Sequence, residues 1–149
     1  MSVRTATEKD QAAIIKIVET IGQMFPERRA QFNWDRFQIR DELLRSKSLV
    51  YLENETTCAF LCFRENADFF EITVLATAPE RRKRGYQSAL VKSLQEFASQ
   101  QNKNILLEVH EENLSAIDFY RKRGFVELPT RKNYYSDGKD ALIFKLNPQ

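Results

Sequence analysis

The sequence predicts an α/β fold, a mixed sheet with helices on both faces, and three observations carry this. Runs rich in β-branched and aromatic residues follow one another at residues 49–53, 57–64 and 69–77, and such runs read as strands. The last of them leads into a helical pattern and then into the apolar stretch around Leu106-Leu107-Glu108-Val109, the order of a strand-helix-strand crossover. Elsewhere, apolar residues recur at helical spacing between capping and breaking residues.

Taken in order, residues 3–6 form a short strand. Thr7 then caps a helix whose apolar face is Ile14, Ile17, Val18, Ile21 and Phe25, and Pro26 ends it. A second helix over about residues 35–46 carries Phe37, Leu43 and Leu44, with Trp34 just ahead of it. The strands at 49–53 and 57–64 are joined by the polar turn Asn54-Glu55, and residues 69–77 make the third strand of that group. A third helix spans about residues 85–101 with Leu90, Leu94, Phe97 and Ala98 inward. An apolar strand carrying Glu108 follows, and then a capped helix, residues 113–123, stopped by Gly124. A further strand leads to a Tyr-Tyr loop, and an Asp-Gly hairpin returns to a final strand.

Composition narrows the function. With 149 residues, 42% of them apolar and 30% charged, one soluble domain covering residues 1–149 is expected. Lys plus Arg number 23 against 21 Asp plus Glu, so the net charge of +2 names no nucleic-acid or membrane partner. The longest apolar run, residues 59–63, falls far short of the roughly 20 residues of a membrane span. The opening MSVRTATEKD has no apolar core of a signal peptide, so a cytoplasmic location is expected. Cys58 and Cys62, four apart in one strand, are expected to share a face yet lie too far apart to bridge. His110 is the one histidine, too few partners for zinc; buried reduced thiols and no metal are the expectation.

Two places concentrate chemistry. At Ala78-Pro-Glu-Arg-Arg-Lys-Arg-Gly-Tyr-Gln-Ser, a strand runs through a basic loop into a helix that starts at Gly85. A helix start offers unpaired N–H groups and a partial positive charge that suit phosphate, and Arg82, Lys83 and Arg84 add cations there. The same run also reads as a solvated loop or a weak nucleic-acid patch. The second place pairs Glu108 on a central strand with Tyr120 on the next helix, a carboxylate and a phenol able to act as base and acid. Glu108 also reads as a residue of a polar strand face, and Tyr120, on one helical face with Ala116 and Ile117, as a packing residue.

These motifs together resemble the GNAT superfamily of N-acetyltransferases, which move acetyl from acetyl-CoA to amines. VRTATEKD, APERRKRGYQSAL and LEVHEENLSAIDFYRKRGF fit in that family's order and spacing. LEVHEENLSAIDFYRKRGF with RKNYYSDGKDALIFKL, and NWDRFQIRDELLRSKSLVYLEN ahead of them, look most like bacterial ribosomal-protein alanine N-acetyltransferases of the RimI type. The resemblance implies a mixed sheet of about seven strands with about four helices, and acetyl-CoA as cosubstrate without a metal. It implies that Glu108 is the general base and Tyr120 the acid that protonates the leaving thiolate. It further implies that Leu75, Ala76 and Thr77 pair with the cofactor arm, that Arg82, Lys83, Arg84, Gly85, Tyr86, Gln87 and Ser88 hold its phosphates, and that Asn113 lies beside it. Gln87 departs from the family's small residue and would crowd the pyrophosphate or donate its own amide. Trp34, Tyr134 and Tyr135 are implied to border the acceptor, a protein or peptide N-terminus with a ribosomal protein as candidate, met by a monomer or weak dimer. His110 has no counterpart in the motif. A small-molecule amine acceptor and a catalytically silent CoA-binding module stand as alternatives.

Overall fold

In the computed structural model, which describes residues 3–131, 134–135 and 137–148, seven strands form one sheet. In chain order they are β1 (Val3–Thr5), β2 (Lys47–Glu53), β3 (Thr56–Glu65), β4 (Phe69–Thr77), β5 (Asn104–His110), β6 (Val126–Arg131) and β7 (Ala141–Leu146). In space they run β1-β2-β3-β4-β5-β7-β6. Every pairing is antiparallel except β4 with β5, which is parallel and is bridged by the crossover helix α3 (Tyr86–Gln100). A parallel pair needs such a crossover because no tight turn can bring the chain back to the same end.

The remaining helices are α1 (Gln11–Met24), α2 (Arg36–Arg45) and α4 (Leu114–Lys122). α1 and α2 cover one sheet face, packing Ile14, Val18 and Ile39 on Val50, Phe60, Cys62, Val74 and Ala76. On the other face α3 and α4 pack Leu90, Leu94, Ile117 and Tyr120 on Leu61, Phe63, Phe70, Leu107 and Phe144. The mixed sheet with helices on both sides is the architecture the sequence predicts.

Local chemistry sets the boundaries with small corrections. Thr7 does cap, through a box with Asp10, whose carboxylate accepts the Thr7 N–H at 2.7 Å, but a 3-10 turn (Glu8–Asp10) comes between the cap and α1. Asp35 caps α2: its carboxylate accepts the Gln38 N–H at 2.8 Å while Gln38 Oε1 accepts the Asp35 N–H at 2.9 Å. On α2, Phe37 and Leu44 are 74% and 81% exposed, because that helix reaches the sheet through Ile39 and Glu42, three residues apart on its other side. Phe97, expected inward, stays 36% exposed although its ring stacks on Phe70.

Two bulges decide which side chains meet. Tyr51 pairs with Ala59 and Leu52 with Thr57, so Cys58 is an extra residue in β3. That slip places Cys58 in the α3–α4 core and Cys62 in the α1–α2 core, which overturns the expectation of a shared face. Both thiols are free and buried. In β4, Val74 pairs with Cys62 and Ile72 with Phe63, leaving Thr73 as the extra residue. Phe70 and Ile72 accordingly face α3, whereas Val74 and Ala76 face α1.

Candidate active site

The bulge at Thr73 sits where the two central strands separate. β4 and β5 pair from Phe69 with Asn104 to Ile72 with Leu107, and there the pairing stops. Beyond it, Val74 to Thr77 pair only with β3 on their outer side, and Glu108 to His110 only with β7. Two strand edges therefore face each other across a gap, no longer paired with one another. A cleft of about 1310 Å³ occupies it, lined by Leu75 and Thr77 on one side and Glu108, Val109 and His110 on the other.

Glu108 and Tyr120 reach this cleft from opposite sheet faces. Leu107 and Val109 belong to the α3–α4 core, so by alternation Glu108 points to the α1–α2 side. Tyr120 belongs to the α3–α4 core, wedged between the rings of Phe119 and Phe125 at 5.1 and 5.2 Å. Both line the cleft because the sheet is open at that height. Burial raises the Tyr120 pKa above the ordinary phenol range, with the Arg123 charge opposing, so the hydroxyl holds its proton. Tyr135, which lines the cleft with Glu108, is pushed up to about 12, first by burial and then by the Glu108 charge.

The basic loop forms the far end of the cleft. Gly85 takes φ +81° and starts α3 with no side-chain cap, leaving the first-turn N–H groups of Tyr86, Gln87 and Ser88 without a capping acceptor. A Cβ at Gly85 would meet nothing within 4 Å, so the glycine is required by backbone conformation and not by crowding. Arg82 lies over the Phe25 ring, 4.8 Å from its centroid, and Arg84 lies 3.9 Å from Glu53. The Tyr86 ring packs on Tyr51 in the core and its hydroxyl donates to Glu53 at 2.6 Å, so this position offers the cleft its main chain. Gln87 turns its amide onto the Thr77 hydroxyl at 2.9 Å, joining the helix start to the end of β4. Asn113 caps α4, accepting the Ala116 N–H at 3.3 Å, and lines the cleft as well. Ala76 lines instead a smaller adjoining cavity beneath α1.

Arg123 is a further residue of this site that no motif in the sequence marks. Its guanidinium lies 3.7 Å from the Phe119 ring centroid and hydrogen-bonds the Ser88 hydroxyl, so α4 delivers a cation to the start of α3. In the sequence it reads as an ordinary basic residue at a helix end, and nothing local marks it as crossing to another helix.

Trp34, Tyr134 and Tyr135 line the same cleft, and the two tyrosines meet edge-on at 5.2 Å. Lys132, Asn133 and Ser136 of that loop lie outside the described residues. Glu42, 3% exposed, accepts Arg64 Nε at 3.0 Å and the Thr73 hydroxyl at 2.9 Å, fixing α2 to the bulge. Among the described residues one trio with metal-ligand chemistry stands close, His110, Glu112 and Asp137, with ligand atoms within 4.8 Å of one another. Both imidazole nitrogens are already in hydrogen bonds, to Asp137 and to the Glu112 N–H.

The acetyltransferase (GNAT) family model matches residues 14–125. A Bacillus subtilis protein named "putative ribosomal protein bS18-alanine N-acetyltransferase" is 30% identical over 146 residues, covering 91% of this chain and 95% of that protein. Among solved structures, the ribosomal-protein-S18-alanine N-acetyltransferase of Escherichia coli superposes with TM-score 0.83 at 24% identity, over 98% of this chain and 92% of its own. Ard1 of Thermoplasma volcanium gives TM-score 0.82 at 25% identity, over 99% and 97%.

Proposed function

The chain belongs to the GNAT acetyltransferase family, whose donor is acetyl-CoA, and from that premise we propose that it acetylates the α-amino group of a protein N-terminus. The observation that carries the reading is the gap between β4 and β5, with Glu108 and Tyr120 reaching it from opposite faces. An amine can then arrive from one side and a thioester from the other.

The residues present suit that donor. The uncapped start of α3, with Arg82, Lys83, Arg84 and Arg123 around it, is built for phosphate oxygens. The open edge of β4 at Leu75, Ala76 and Thr77 offers main-chain groups to an extended amide-bearing arm and a donor to the thioester carbonyl. Acetyl-CoA when bound supplies the activated acyl group. Glu108 takes the proton the amine must lose to attack, and Tyr120 returns a proton to the sulfur as the C–S bond breaks. Tyr120 holds its proton at neutral pH, as the acid of this step must.

An α-amine suits this machinery. Its pKa of about 7.7–8.0 against about 10.4 for lysine makes deprotonation cheaper by roughly 3.4 kcal/mol. Trp34, Tyr134 and Tyr135 wall a slot for a small first residue. The relatives named for ribosomal-protein alanine acetylation support this acceptor class, with a ribosomal protein as candidate target. Two buried, unbridged cysteines suit a reducing compartment such as the cytoplasm, and no helix among the described residues is long and apolar enough to cross a membrane.

The test sets free peptides beginning with Ala, Ser or Met against N-terminally blocked peptides carrying an internal lysine, and against spermidine. Acetylation confined to free N-termini is expected. Comparable rates on blocked peptides or spermidine would reject the acceptor, and binding of acetyl-CoA without turnover on any amine would indicate a silent module.

A further inference from the structure

We propose that His110 is a positioning residue that anchors the Tyr134–Tyr135 loop along the cleft that Glu108 also lines, in its neutral, Nε2-protonated form, and takes no proton from the substrate. The inference rests on the acceptor reading above for what the loop covers, but not for how the histidine is held.

Its hydrogen bonds fix the tautomer. The imidazole is 1% exposed, and Nδ1 accepts the Glu112 N–H at 3.0 Å. An Nδ1 that accepts carries no proton, so Nε2 carries one and donates it to Asp137 Oδ2 at 2.7 Å. Neither nitrogen has a lone pair left for an incoming amine.

What the ring holds is the loop. Asp137 Oδ1 also accepts the Lys139 N–H at 3.0 Å, closing the turn, and Tyr135 N–H donates to the Lys139 carbonyl at 3.1 Å. The Tyr135 ring packs on the imidazole at 4.7 Å between centroids, and its phenol feels the Glu108 charge. Glu108 and His110 both stand on β5, so the base and, through Tyr135 and Asp137, the acceptor wall share one support. The imidazole is that support's buried pin.

As this is the chain's one histidine, a long-range proton–nitrogen correlation spectrum of 15N-histidine protein needs no assignment. A proton on Nε2 and a bare Nδ1 at neutral pH are expected; a proton on Nδ1, alone or with Nε2, would overturn the proposal. Kinetics on a free alanine-starting peptide give the second readout. His110→Ala and Asp137→Ala should each raise the peptide KM by about tenfold, the worth of a charge-assisted hydrogen bond, with the acetyl-CoA KM unchanged. His110→Gln, whose amide can still donate to Asp137, should keep the peptide KM within about threefold of the parent. Equal loss of kcat in His110→Gln and His110→Ala at unchanged peptide KM would overturn positioning in favour of proton transfer. Should His110→Ala misfold, the partly exposed Asp137→Ala carries the same KM test. A protein with the expected tautomer that acetylates none of the peptides would support the anchor and reject the acceptor alone.

Discussion

Removing the Glu42 carboxylate should loosen the attachment of α2 to the sheet. Its oxygens accept Arg64 Nε at 3.0 Å, Arg64 Nη2 at 2.5 Å and the Thr73 hydroxyl at 2.9 Å. Breaking a fully buried ion pair from one side costs about 3–5 kcal/mol, largely through the charge left behind. Here the side chain left behind, Arg64, is 41% exposed and rehydrates, and the Thr73 hydroxyl can still donate to the Cys62 carbonyl at 3.4 Å. The expected cost of Glu42→Ala is therefore lower, about 2–3 kcal/mol. For a chain of this size that lowers Tm by roughly 4–12 °C. Urea unfolding followed by circular dichroism should show the loss as a lower midpoint at unchanged slope. The control is Asp41→Ala, which breaks a pair with Arg45 whose side chains are 59% and 62% exposed, and should cost under about 0.5 kcal/mol. If Glu42→Ala costs no more than that control, the Glu42 contacts are solvent-screened and the reasoning fails.

Glu108→Gln should fold and bind acetyl-CoA like the parent while peptide turnover falls by about 10²–10⁴, read in a thiol-release assay; parent-like turnover at neutral pH would remove the base assignment. Gly85→Ala has room for its methyl but must hold φ +81°, at about 1–2 kcal/mol, and calorimetry should show weaker acetyl-CoA binding; an unchanged affinity would put the phosphates elsewhere. Gln87→Ala frees the Thr77 hydroxyl and widens that end of the cleft, so acetyl-CoA should bind at least as tightly as to the parent in the same measurement. For pH, Tyr120 keeps its proton when folded beyond about pH 10, where the unfolded phenol loses it. The unfolded state then binds fewer protons, so stability should fall as pH rises above about 10, and Tyr120→Phe should blunt that fall in alkaline unfolding curves.

Period and punctuation made most of the fold readable. β4 ends where its β-branched run ends, α1 stops two residues before Pro26, and Gly85 marks the start of α3. Glu108 and Tyr120 are recognisable by motif, and both line one cleft. What could not be read was register. The extra residues at Cys58 and Thr73 depend on how neighbouring strands align, which no window of a single strand encodes, and one of them separates the two cysteines. Partners distant in sequence were hidden for the same reason. Arg123 reaches Ser88 across 35 positions, and His110 reaches Asp137 across 27. The facing of α2 is hidden in another way, since Phe37 and Leu44 lie outward and its inward face includes a carboxylate.

Where β4 and β5 part after Ile72 and Leu107, the protein offers a guest peptide groups instead of side chains. Such an edge cannot tell one extended amide-bearing chain from another by the residues that line it. Substitutions at Leu75 or Thr77 that keep the strand therefore leave the edge as legible to its guest as before. On the function proposed above, the acceptor wall is written in another alphabet, in the shapes of Trp34, Tyr134 and Tyr135, where each change alters what can be read. A protein divided in this way can drift toward new acceptors while its donor stays the same.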